Sequence, residues 1–112
     1  MTGTLLALAC VLLVACNNVK SQLTGTWTNT DDGDTHTIVL NSDNTAVVDA
    51  GAGTTKGKWS VKDGYLYIDR EDSNYADLKA QIPSGQFKSL VVEEDETSND
   101  SGDWTTETYT KQ

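Results

Sequence analysis

Few residues in this chain have the types and spacing that catalysis or ligation requires. His36 is the only histidine, and the only cysteines, Cys10 and Cys16, both lie in the first sixteen residues. A Ser-His-Asp triad therefore has one possible base, and a zinc site has at most one nitrogen ligand, so neither is supported. His36 is expected on a strand surface. Asp31, Asp32 and Asp34 surround Gly33 and could offer carboxylate oxygens to Ca²⁺, but the glycine is at the wrong offset for an EF-hand loop and no bidentate Glu follows. A solvated turn is the simpler reading. Glu93, Glu94, Asp95 and Glu96, with Asp100 and Asp103 beyond them, repel one another unless a cation or a basic partner neutralises them. Tyr65 and Tyr67 alternate on what reads as a strand, where they either pack across the sheet or form a stacking platform for carbohydrate or peptide. The expectation is a non-enzyme with no metal and no cofactor, whose candidate surface contacts are Tyr65, Tyr67, Glu93, Glu94, Asp95 and Glu96.

With 112 residues and a single proline, the chain makes one domain with a small core. Seventeen acidic residues against eight basic give a net charge of −9, which argues against nucleic acid or an anionic bilayer as the partner surface and leaves a cationic partner open. Two cysteines so close to the start build no disulfide framework.

The elements that must position these residues begin after an N-terminal address. Leu5 to Ala15 is an apolar run too short to span a bilayer, which needs about 20 residues, and of the right length for the hydrophobic part of a signal peptide. It ends in Leu13-Val14-Ala15-Cys16, which resembles the lipobox of bacterial lipoproteins. That resemblance implies cleavage before Cys16 and lipidation of its thiol, a membrane anchor, and a location in the bacterial cell envelope, on the outer membrane or the outer face of the cytoplasmic membrane. Met1-Thr2-Gly3-Thr4 lacks the usual basic residues. The organisation expected is a signal peptide over 1–15, lipidated Cys16 with a tether over 16–23, and a domain over 24–112.

Within the domain, Gly57 to Arg70 specifies a hairpin down to its register. Asp63-Gly64 suits a type I′ turn, and folding about it sets Val61 opposite Leu66 and Trp59 opposite Ile68 on a dry face. Ser60 then faces Tyr67, and Lys58 faces Asp69, on a wet one. Strands are also expected over Gly25–Thr28, Thr35–Leu40, Thr45–Ala50, Gln86–Glu94 and Trp104–Lys111. Residues 71 to 86 fit helix or strand. The alternation of Ala76, Leu78, Ala80 and Ile82 favours strand, and a tight turn at Pro83 and Gly85 would set Leu78 opposite Leu90 and Ala76 opposite Val92. Eight short antiparallel strands joined mostly by tight turns leave no edge if they close into a single small up-and-down β-barrel, all-β in class. Strands of about six residues, roughly 20 Å long, are too shallow for a large lumen, so the interior is expected to be filled by side chains.

All three tryptophans follow a glycine at two residues' distance: Gly25-Thr26-Trp27, Gly57-Lys58-Trp59 and Gly102-Asp103-Trp104. The glycine permits a bend or a close backbone approach, and the tryptophan swings in to cap the core with its indole N–H on a carbonyl. With this repeat, the turn Leu40 to Thr45 and the hairpin Gly57 to Ile68, residues 23 to 110 resemble the lipocalin-like domains of small bacterial lipoproteins. The resemblance implies a lipocalin-like module that binds a small apolar or amphipathic ligand or acts as an envelope adaptor, with Trp27, Trp59 and Trp104 as ligand-facing or core-capping residues. The alternative is an acidic module that docks on or inhibits a basic envelope protein. An empty apolar interior favours the first and a filled one the second.

Overall fold

The computed structural model describes residues 19–31, 33–50, 53–72, 74–85, 87–95 and 106–112. Eight strands follow in order: β1 (Gly25–Asp31), β2 (Asp34–Leu40), β3 (Thr45–Asp49), β4 (Thr54–Lys62), β5 (Tyr65–Arg70), β6 (Leu78–Gln81), β7 (Ser89–Glu94) and β8 (Glu107–Lys111). Each pairs antiparallel with the next, and β8 returns to β1 with Trp27 opposite Lys111, which closes the barrel. This is the architecture expected of eight short strands that must hide their edges.

The β4–β5 hairpin has the register written in its sequence, with Trp59 opposite Ile68, Val61 opposite Leu66, Ser60 opposite Tyr67 and Lys58 opposite Asp69. Asp63 and Gly64 have φ of 53° and 81°, the pair of positive angles a type I′ turn needs. One expectation fails. Val61 is 42% exposed although its partner Leu66 is buried. The cause is length: β3 accompanies β4 only as far as Thr45 opposite Lys58, so beyond that point β4 is paired on the β5 side alone, while β5 keeps β6 beside it up to Tyr65 opposite Gln81.

The barrel has two chemically different ends. At the near end lie the entry to β1, the turn 41–44, the β4–β5 turn, the connection 82–88 and Gln112. The β1–β2, β3–β4, β5–β6 and β7–β8 connections lie at the far end. Residues 19–23, expected as part of a tether, instead form a helical turn that plugs the near end. Leu23 enters the core completely buried, Val19 packs beside it, and Trp27 donates its indole N–H to the Leu23 carbonyl at 2.8 Å. Trp59 does the same for the neighbouring turn, with its N–H on the Asn41 carbonyl at 2.8 Å. Both tryptophans thus fill and cap the core, as the Gly-x-Trp pattern implies. Gly57 supplies the close approach, since a Cβ there would overlap the Asp69 carbonyl across the strand pair. The third copy, at Trp104, lies outside the described residues.

Several strand boundaries and one register depart from expectation: β4 starts at Thr54 rather than Gly57, and β7 at Ser89 rather than Gln86. β1 runs past Thr28 to Asp31, because Asn29, Thr30 and Asp31 continue the ladder against His36, Thr35 and Asp34 and leave only 32–33 for the turn, where Gly33 has φ of 87°. Between β6 and β7 the register is Leu78 opposite Glu94 and Ala80 opposite Val92, not Leu78 opposite Leu90 and Ala76 opposite Val92. The tight turn at Pro83 and Gly85 does not form. Ile82 donates its N–H to the Gly64 carbonyl, and Ile82 and Phe87 both pack against the core, so a wider loop covers apolar surface that a tight turn would leave open. Ala76 is buried, but it lies in the connection ahead of β6.

Candidate functional site

Inward-facing positions follow the alternation of the strands. Over most of the barrel they are apolar: Trp27, Ile38, Leu40, Val48, Leu66, Ile68, Leu78, Val92 and Tyr109 are all at most 2% exposed. Toward the far end the same alternation delivers polar side chains. Two residues beyond Trp27 comes Asn29; two before Ile38 comes His36; two before Gly57, Thr55; two beyond Ile68, Arg70; two beyond Val92, Glu94; two before Tyr109, Glu107. Six strands therefore build one polar layer over the apolar core.

The layer is largely paired within itself. Both carboxylate oxygens of Glu107 lie 3.1 Å from Nδ1 of His36, which corrects the expectation of a surface histidine: it shares the inward face of Ile38 and Leu40. Arg70 is 5% exposed. Its Nε donates to the Thr55 hydroxyl at 2.9 Å and a terminal nitrogen donates to the Ala76 carbonyl at 3.3 Å, while the guanidinium covers the Tyr75 ring with its carbon 4.6 Å from the centroid. Asp77 accepts the Arg70 backbone N–H at 2.9 Å, and burial raises its carboxyl pKa above the ordinary 3.8 despite that bond. Below the layer, desolvation and the charge of Glu107 push the Tyr109 phenol well above its ordinary range and keep it protonated. Asn29 donates from Nδ2 to the Thr108 carbonyl at 2.8 Å, while its Oδ1 is shut off from solvent and has no hydrogen-bond partner.

A histidine held by a carboxylate is half of a general-base arrangement, but the Thr55 hydroxyl is engaged by Arg70. Arg70 and Thr55 were legible in principle, since extending the inward series Leu66, Ile68 by one step reaches Arg70, and the series Trp59, Gly57 by one step reaches Thr55. The charge of an arginine conceals that reading, because such residues are rarely buried.

The anticipated surface residues are divided by the same alternation. Glu93 faces outward with a carboxylate oxygen 3.9 Å from Lys79 Nζ, whereas Glu94 belongs to the inward face and buries one of its oxygens. Asp95 follows at the strand's end, its N–H on the Asp77 carbonyl at 2.8 Å. Glu96, Cys16 and Trp104 lie outside the described residues. Tyr65 and Tyr67 share the outer face of β5, half-buried, with ring centroids 6.2 Å apart and planes tilted by 40°; Lys79 sits over Tyr65 at 5.8 Å. That is a cross-strand cluster on the wall, well away from the polar layer. Beside it a groove of about 350 Å³ opens between Gln81, Pro83, Ser89 and Val91.

The fold and this layer define a closed, eight-stranded up-and-down antiparallel barrel with an apolar core and a charged far end. No protein-family model matches the chain, and no curated protein or solved structure is significantly similar to it.

Proposed function

We propose that this protein is a bacterial envelope lipoprotein, anchored through Cys16, whose barrel is a non-enzymatic adaptor with an acidic end that docks a basic envelope protein. The observation that carries this reading is the placement of charge. Of the described carboxylates only Asp43 and Asp63 lie at the near end; the others, including Asp49, Glu71, Asp72 and Asp95, sit at the far ends of strands or in far-end connections. Charge concentrated on one face steers and selects an oppositely charged partner. A filled apolar interior supports this over a buried apolar ligand, because Trp27, Tyr109, Leu66 and Ile68 occupy the space such a ligand would need.

The test uses the lipidated protein in detergent as bait for envelope proteins, beside a neutralised bait carrying Asp49→Asn, Glu71→Gln and Asp72→Asn. A basic protein should bind the first and elute as the Debye length falls from about 10 Å toward 3 Å with added salt. Equal capture by both baits would refute the docking. A second reading, a small amphipathic ligand with its head at the polar layer, is favoured by the unpartnered Asn29 Oδ1. It predicts a retained small molecule in native mass spectra of the gently purified protein.

A further inference from the structure

The opposite end of the barrel has the reverse chemistry. Lys20, Lys62, Lys88 and Lys111 lie at the near end, against two described carboxylates there, Asp43 and Asp63. A net charge of −9 conceals this, because it sums two ends that face different surroundings. Four features coincide on that face. The chain enters it through the helical turn 19–23, so whatever precedes Val19 reaches the barrel from this side. Lys62 and Lys88 are exposed, and neither Asp43 nor Asp63 forms an ion pair with a lysine among the described residues, although the Asp43 pKa, lowered chiefly by the Thr45 hydroxyl, is lowered further by the charge of Lys20. Apolar side chains, Val19, Ile82 and Phe87, are only partly covered there. Finally, a notch of about 300 Å³ is lined by Lys20, Ser21, Thr24 and Ser42: one ammonium and the hydroxyls of Ser21 and Ser42 can donate to a phosphate ester, while the Thr24 hydroxyl already donates to the Lys20 carbonyl at 2.8 Å.

We propose that the near end is a membrane-docking face that seats the barrel on an anionic phospholipid surface, its exposed Lys62 and Lys88 against the headgroups and the Lys20 notch over a single phosphate. The geometry commits the occupant to a bilayer because the cations are spread around the rim instead of converging in one pocket, and because partly exposed apolar side chains lie among them. The barrel is then held upright, with its acidic far end projected away from a surface of like charge. This orientation rests on the lipoprotein reading for its anchor, yet its chemistry is separate. Each lysine near an anionic surface strengthens attachment roughly fivefold, so reversing two exposed ones should weaken docking at least about twenty-five-fold.

The experiment reconstitutes the lipidated protein on vesicles of phosphatidylcholine alone or mixed with phosphatidylglycerol. With Cys10 in the removed leader and Cys16 acylated, a thiol introduced by Ser84→Cys at the near end or Asp72→Cys at the far end takes a fluorophore uniquely. Quenching by nitroxide-labelled headgroups then reports which end faces the lipid. The expected result is strong quenching at position 84 on the anionic vesicles at low salt, loss of that quenching at high salt and in Lys62→Glu/Lys88→Glu, and none at position 72. Equal quenching at 84 on neutral and anionic vesicles, or stronger quenching at 72, overturns the proposal; an acidic protein would then be the partner of the lysines. Flotation on neutral vesicles reads the anchor alone. A protein that fails to float there, but binds anionic vesicles in a salt-sensitive way, retains the docking face and loses the lipoprotein reading.

Discussion

Trp59→Ala separates an architectural tryptophan from a ligand platform. The indole is 3% exposed, its N–H is 2.8 Å from the Asn41 carbonyl, and its ring lies 6.0 Å from Lys20 Nζ. A tryptophan side chain buries about 150–250 Å², which at ~25 cal/mol per Å² is about 4–6 kcal/mol. The denatured chain already hides part of that area, which brings the expected loss to about 3–5 kcal/mol, in line with other large aromatic truncations. That is a large share of the roughly 5–15 kcal/mol that stabilises a domain of this kind. Trp59→Phe keeps most of the ring and forfeits the indole N–H, but the Asn41 carbonyl still accepts from Asn44 N–H at 3.0 Å, so about 1–2 kcal/mol is expected. Urea melts followed by far-UV circular dichroism give both values without depending on the lost fluorophore. If Trp59→Ala melted with the midpoint of the unaltered protein, the ring would contribute nothing to the core and the capping argument would be wrong.

Gly64, with φ of 81°, should tolerate a β-branched residue poorly: Gly64→Val is expected to cost about 1–3 kcal/mol, and Lys62→Thr on the exposed side no more than about 0.5 kcal/mol, both read by the same melts. Carboxyl chemical shifts followed through an acid titration should place Asp77 above 3.8, chiefly from burial, and Asp43 below it, chiefly from the Thr45 hydroxyl at 2.6 Å. The signs for stability are opposite. In the window just above pH 3.8 the folded state holds more protons at Asp77 than the unfolded chain, so its contribution falls as pH rises; Asp43 contributes above 3.8, and that contribution is lost as pH falls through its lowered native value. Cys16→Ser should release the protein from the membrane fraction while Cys10→Ser should not, and a Cys16→Ser form that still partitions into a detergent phase would count against the anchor.

What the sequence revealed follows from how local the information is. The β4–β5 register could be read to the residue because a two-residue turn fixes it and a slip of one would turn Trp59 and Ile68 outward. The β6–β7 register could not, because both candidates keep the same residues facing inward and differ only in how much loop they leave. Choosing between them needs Ile82 and Phe87 on the core, contacts that depend on the closed barrel. Val61 misleads for a related reason: alternation states which face a residue shares, and the length of the neighbouring strand decides whether anything covers it. The polar layer shows the limit most clearly. His36 and Glu107 are 71 residues apart and meet only because β8 closes against β1, so no local pattern announces the pair.

That closure also sets the order of events in folding and the direction in which the barrel yields. Every other strand pair joins sequence neighbours, whereas the seam sets Trp27 and Thr28 opposite Lys111 and Thr110 at the largest loop-closure cost in the molecule. It is therefore the last ladder to gain from its neighbours and the first to open. The helical turn is fastened across it, by Trp27 to the Leu23 carbonyl on one side and by Lys111 to the Gln22 carbonyl on the other. A pull on the chain upstream of Val19 would load those two bonds first and then peel β1 from β8, and faster amide exchange at Thr28 and Thr110 than in the β4–β5 ladder would report that weakness. Under the proposed anchoring through Cys16, the protein would be mechanically weakest along the line by which it is held.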